Sequence, residues 1–271
     1  MLEGALLKIS RAYTQTNDFG RDVERFFSDR DDPAYSVAVQ RDTDPRKRVA
    51  VFRILKKPPE TWPVHIGEII HNLRSALDHL IYEVSAPDEH GQPLTGTEFP
   101  IFMDEAEFRT KRAQRKIRGL NAATLAVIER FQPFKTKDPA DIPFLWILHQ
   151  VSNTDKHRLL NIVTTVHTLR EIKILYQPGV TPLTTAHIAQ GMRVNRKARL
   201  EDGAEYFSFW TLEPLPDDTQ VNMDTEMAVH VEFGDATPSA NRLPVSDTLH
   251  GIGRLVSAFR NEFIKLNSGP V

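Results

Sequence analysis

Ile69-Ile70-His71-Asn72-Leu73-Arg74-Ser75-Ala76-Leu77-Asp78-His79-Leu80-Ile81 is the stretch on which the reading of this chain turns. At 100° per residue, Ile69, Ile70, Leu73, Ala76, Leu77, Leu80, Ile81 and Val84 fill one arc of a helix. The other arc holds Glu68, His71, Asn72, Arg74, Ser75, Asp78, His79 and Tyr82. A solvated helix face is mostly Lys, Glu and Gln, which are good helix formers. His, Asn, Arg, Asp and Tyr together suit chemistry or a buried polar network. The spacing predicts a helix over about 63–86, stopped by Pro87, with its polar arc in a pocket.

Outward from this helix the pattern is mixed. Residues 2–29 read as a helix with a break near Asn17–Gly20. Residues 35–40 and 48–55 read as a hairpin around Asp44-Pro45. Residues 87–98 form a polar loop, and Phe99-Pro100-Ile101-Phe102 is apolar and expected to be buried. Asp104 is placed to cap a basic helix reaching about 118, and Asn121 to cap another to about 131. A further helix opens at Asp141 or Pro143. Beyond about 168 the style changes. Residues 170–177, 183–195, 205–213 and 220–233 read as strands between Pro, Gly and Asp turns. A closing helix spans about 247–266. The expected class is α+β, with a helical N-terminal half, an antiparallel sheet in the C-terminal half joined by the early hairpin, and a C-terminal helix. No repeat or linker divides it. One domain is expected over 1–271, helical over about 60–165 and β-rich over about 170–235.

Composition sets the outer bounds. With 271 residues, 40% hydrophobic and 26% charged, the chain reads as an ordinary globular protein. Net charge is −2, so no global attraction to nucleic acid is expected. The charges are unevenly placed. Ten acidic residues and no Lys or Arg lie between Glu201 and Asp235, whereas Arg109, Lys111, Arg112, Arg115, Lys116 and Arg118 form a basic run. The absence of Cys excludes disulfides, thiolate metal sites and a Cys nucleophile. Neither a signal peptide nor an apolar run of roughly 20 residues is read, so a cytoplasmic protein that is not membrane-bound is expected.

A second polar knot is His149-Gln150-Val151-Ser152-Asn153-Thr154-Asp155-Lys156-His157-Arg158. If the helix continues, His149, Asn153, Lys156 and His157 share a face below Trp146. Ser152 to Asp155 are poor helix formers, so the alternative is a break with Asp155 capping a new helix. The two knots are expected to face each other through His71, Arg74, Asp78 and His79.

The segments His71–His79, Phe99–Phe102 and Leu148–Arg158 resemble the signatures of a widespread bacterial family of uncharacterised proteins, over roughly residues 60–165. Arg74-x4-His79 also resembles the Arg-x4-6-His pattern of HEPN domains, helical bundles that include metal-independent ribonucleases. Ser75 stands where those nucleases commonly carry Asn, Asp or His. That resemblance implies a ribonuclease, often dimeric, in which Arg74 stabilises phosphate charge and His79 moves the proton.

Three readings of function follow. In the first, a HEPN-like ribonuclease needing no cofactor, His79, Arg74, Asp78 and His71 are the catalytic candidates. In that reading Asn72, His149, Asn153, Asp155, Lys156, His157 and Arg158 bind RNA or another phosphate-bearing ligand, and the basic run adds backbone contacts. In the second, the same pocket binds an anion or nucleotide without catalysis. In the third, His71, Asp78, His79, His149 and His157 hold a metal for hydrolysis, although adjacent Asp78 and His79 diverge on a helix. Set against all three is a buried polar network in which Arg74 pairs with Asp78. No Walker loop, dinucleotide fingerprint, zincin or nucleophile-elbow motif occurs.

Overall fold

The stretch around Arg74 forms the middle of a 23-residue helix, Trp62–Val84. Ile66, Ile69, Ile70, Leu73, Ala76, Leu77, Leu80 and Ile81 are fully buried along it, and Val84 is half-buried. Each such side chain contributes roughly 1.5–3 kcal/mol on leaving water. Pro63 sits in the first turn, where its missing N–H is harmless. At the other end Ser85 bonds back to the Ile81 carbonyl through both its N–H and its hydroxyl, before Pro87 prevents continuation.

The computed structural model describes residues 2–136, 143–177, 181–182, 188–195, 199–214 and 220–267, with backbone alone over the described parts of 167–192, over 220–228 and at 267. The helices are α1 (Glu3–Ser28), α2 (Trp62–Val84), α3 (Glu105–Phe108), α4 (Lys111–Lys116), α5 (Ala122–Arg130), α6 (Phe144–Asp155) and α7 (Val245–Asn267). The strands are β1 (Tyr35–Arg41), β2 (Lys47–Ile54), β3 (Ile162–Gln177), β4 (Thr181–Pro182), β5 (Ile188–Val194), β6 (Glu205–Thr211) and β7 (Gln220–Phe233). The fold class is α+β, as the hydrophobic pattern predicts.

Contacts divide the chain into two units. The first comprises Met1–Gly20, Glu60–Asn161 and Phe233–Val271, and the second Arg21–Pro59 and Ile162–Glu232. In the first, α7 packs on α2, α5 and α6, and α6 packs on α2. Its Phe259 meets Phe99 and Phe131, each at 4.8 Å between ring centres. In the second, β1-β2-β6-β5 is antiparallel throughout. Ala50 lies opposite Phe207, with a register shift before Val51. Phe52, Tyr206, Phe207 and Phe209 fill its core beside Val166 and Leu200. The early hairpin therefore does join the later strands. The single expected sheet is two, however, because β4-β3-β7 forms a separate three-stranded sheet.

Local departures have local causes. Residues 104–118 form two short helices, not one. Asp104 caps α3 as expected, accepting from the Ala106 and Glu107 amides. The Thr110 hydroxyl then accepts from Ala113 N and starts α4, since Thr competes with the helix for backbone groups and favours caps. No break occurs at Asn17–Gly20. No new helix starts at Asp155 either: Ser152 to Asp155 stay in α6, where Thr154 Oγ1 donates to the Gln150 carbonyl. The strand expected from 170 begins at Ile162, in the β-branched run Ile162–Val166. Asp141 and residues 183–187 lie outside the described residues.

Candidate functional site

The polar arc of α2 is divided between two neighbours. Arg74 and His79 are five residues apart, so they point about 140° apart around the axis. One flank lies against α1. Asn72 accepts from Lys8 Nζ at 3.1 Å and donates to Gln15 Oε1 at 2.9 Å. Gln15 also donates to Glu68. The His79 ring lies over Gly4, where a Cβ would stand 2.7 Å from Nδ1. The other flank faces α6 and the Glu98–Phe99 strap. It carries His71, Arg74 and Asp78.

Arg74 and Asp78 tie this second flank to the strap. Arg74 Nη2 donates to Asp78 Oδ1 at 2.9 Å and to the Phe99 carbonyl at 2.8 Å. The Phe99 amide donates to the same Asp78 oxygen at 2.9 Å. Both polar backbone groups of Phe99 are thus satisfied by α2 side chains while its ring is buried, as a buried segment outside regular structure requires. The Arg74 side chain is only 15% exposed. Its Nη1 is buried with no hydrogen-bond partner among the described residues.

Cations from three elements act on one imidazole. His149, on α6, is pushed down to about 4, first by burial and then by Arg74 of α2, Lys116 of α4 and Lys156 at the end of α6. It is therefore neutral at pH 7. Asn153 Nδ2 donates to His149 Nε2 at 3.0 Å, which leaves the ring proton on Nδ1. Trp146 stacks on the His149 ring at 5.3 Å. Lys116 is held below the usual lysine range by burial and by Arg74, against the pull of Asp78. It is ion-paired with Glu98, whose own amide donates to the Lys116 carbonyl at 3.0 Å. Lys156 is exposed and has no ion-pair partner among the described residues.

The remaining candidates scatter around this centre. The Asp155 carboxylate seats directly on Gly67 of α2, where a Cβ would be 2.3 Å from Oδ1. Burial raises its pKa, against the opposing charge of His71. Arg158 donates to the Ala236 carbonyl, and His157 is exposed. The structure thus brings together Arg74, Asp78, His149, Asn153 and Lys156, with Asp155 on Gly67 beside them, near enough to His71 to feel its charge. It places Asn72 and His79 on the α1 side. Among the described residues no three His, Asp or Glu side chains are grouped as a metal ion would require.

The basic run separates into roles. Arg109 pairs with Glu105 and Glu129, and Lys116 turns inward, whereas Lys111, Arg112 and Arg115 are exposed. Within the acidic stretch, Asp202 pairs with Arg53 and Glu201 with Arg199, all in the second unit. Among the described residues no helix is long and apolar enough to cross a membrane.

In the sequence Glu98 is not a candidate, and Lys116 is one only as a member of the basic run. Lys116 carried a usable signal, because it lies between Ala113 and Ile117, the two buried positions of the run. Comparison of the chain with family models, with curated proteins and with solved structures finds no match.

Proposed function

We propose that the cluster of Arg74, Lys116, His149 and Lys156 binds a phosphate-bearing anion, and that this binding is the protein's function without catalysis at the same centre. The observation that carries the reading is the convergence of three cations, from three different elements, on one half-buried neutral imidazole. Among the described residues, Asp78 pairs with Arg74 and Glu98 with Lys116, while Lys156 has no such partner. A low-dielectric site with unbalanced positive charge is a site for an anion. Exposed Lys156 supplies a mobile ammonium, and His149 Nδ1 supplies a neutral donor. Arg74 acts from the floor of the cluster, through its field. Lys116 completes the set once its own pairing is relaxed.

A ribonuclease of the Arg-x4-His type needs both side chains at one phosphate. Arg74 and His79 serve different flanks of α2, so no observation favours that reading within one chain. The test is titration with methyl phosphate, dimethyl phosphate and a short RNA oligonucleotide, followed by Trp146 fluorescence and by the His149 ring resonances. Saturable binding is expected that weakens with added salt. Lys156→Ala should weaken it about 10- to 100-fold, as expected for loss of one charge-assisted hydrogen bond worth about 1.5–3 kcal/mol. Absence of saturation by every phosphate compound would overturn the reading.

A further inference from the structure

We infer that Glu98 is an internal counter-ion which the ligand displaces, so that the site selects doubly charged phosphate monoesters over singly charged phosphodiesters and carboxylates. The inference rests on the anion-binding reading above and narrows its ligand class.

The geometry separates what is fixed from what can move. The Glu98 backbone is pinned through its amide to the Lys116 carbonyl, and its neighbour Phe99 is pinned by Arg74 and Asp78. The Glu98 side chain is 42% exposed, more than the Lys116 side chain it pairs with, at 29%. It can therefore swing away with no change in the strap. Among the described charges that act on His149 and Lys116 or pair with them, Arg74, Lys116 and Lys156 stand against Asp78 and Glu98. With Glu98 in place one positive charge is unbalanced. With Glu98 displaced, two are.

The exchange then depends on ligand charge. A carboxylate or a phosphodiester that replaces Glu98 at Lys116 trades one single negative charge for another. It must also compete with a tethered rival, whose effective concentration is on the order of millimolar. A phosphate monoester carries two charges above its second pKa of about 6. It neutralises Lys116 and still has charge for Lys156 and Arg74, which matches the imbalance that opening creates. The internal carboxylate is thus a charge filter. It turns away single charges, including those of an unbroken RNA backbone, and admits a terminal phosphate.

The test compares methyl phosphate, dimethyl phosphate and acetate at about pH 8, where the monoester is doubly charged, at constant ionic strength. Binding is followed at the His149 resonances. Wild-type protein should bind methyl phosphate at least about tenfold more tightly than either monoanion. Glu98→Gln should gain affinity for dimethyl phosphate and acetate more than for methyl phosphate, so that the ratio falls several-fold. Equal binding of methyl and dimethyl phosphate by wild type, or an unchanged ratio in folded Glu98→Gln, overturns the inference while leaving anion binding intact. Failure of every phosphate compound to bind wild type overturns both. Should Glu98→Gln fail to fold, the wild-type ratio alone decides.

Discussion

Replacing Arg74 by Ala strands the Phe99 carbonyl and leaves Asp78 with the Phe99 amide as its remaining hydrogen-bond partner here. A stranded buried group costs about 1–3 kcal/mol, so Arg74→Ala should lower the urea midpoint by that order. Arg74→Lys should recover little of it, because one ammonium does not reproduce the planar fork. His149 makes a pH prediction. Its ordinary pKa is 6.5 and its folded value about 4. Above pH 6.5 the ring is neutral folded or unfolded. As pH falls from 6.5 toward about 4, the unfolded chain takes up a proton that the folded protein refuses, so stability declines across that window. His149→Gln should flatten the decline, measured as urea midpoint against pH. Asp155, whose pKa is raised above its ordinary 3.8 by burial, acts in the opposite sense from that pH upward, and it is common to both proteins. At this scale the sequence displayed the inventory and the local Arg74–Asp78 pair, but not the distant partners. The 140° between Arg74 and His79 follows from helix geometry alone. That Arg74 would meet a backbone carbonyl 25 residues away does not.

Between elements, Gly67 sets how closely α2 and α6 approach. A Cβ there would stand 2.3 Å from Asp155 Oδ1 and 2.8 Å from its Cγ. The short Asp side chain has little room to retreat. Gly67→Ala should therefore destabilise the protein, although Ala is favoured over Gly in a helix by about 1 kcal/mol. Adding Asp155→Ala removes the obstacle. The double variant should melt above Gly67→Ala alone, and a double-mutant cycle in urea measures the coupling. Periodicity made α2 readable end to end, because its buried stripe never lapses. The region 104–118 was less legible. A Thr hydroxyl decided between one helix and two, and hydroxyls carry no hydrophobic period. Ser152 to Asp155 misled in the other direction. Bonds from Thr154 to the Gln150 carbonyl and between Asn153 and His149 hold these poor formers in the helix.

On the scale of the whole chain, each unit has its own core, and that of the sheet unit rests on aromatic packing. Phe207 is fully buried, with Phe209 at 5.7 Å between ring centres. Phe207→Ala should destabilise this unit by about 3–5 kcal/mol. The direct measure is amide exchange in β1, β2 and β6, expected to speed up about 100-fold or more. The class α+β was legible because strand and helix periods differ. The division into two sheets was not, since pairing choices leave no mark in alternation alone. The strand order β1-β2-β6-β5 also has a consequence during synthesis. The hairpin emerges from the ribosome early, but Ala50 must wait for Phe207. At about 5–20 residues per second, the intervening chain takes roughly ten to thirty seconds to appear. Throughout that time the edge of β2 lacks the neighbour it has in the finished sheet, and open edges invite pairing with other chains. The nascent chain is therefore most exposed to misassembly in the interval between the synthesis of β2 and that of β6.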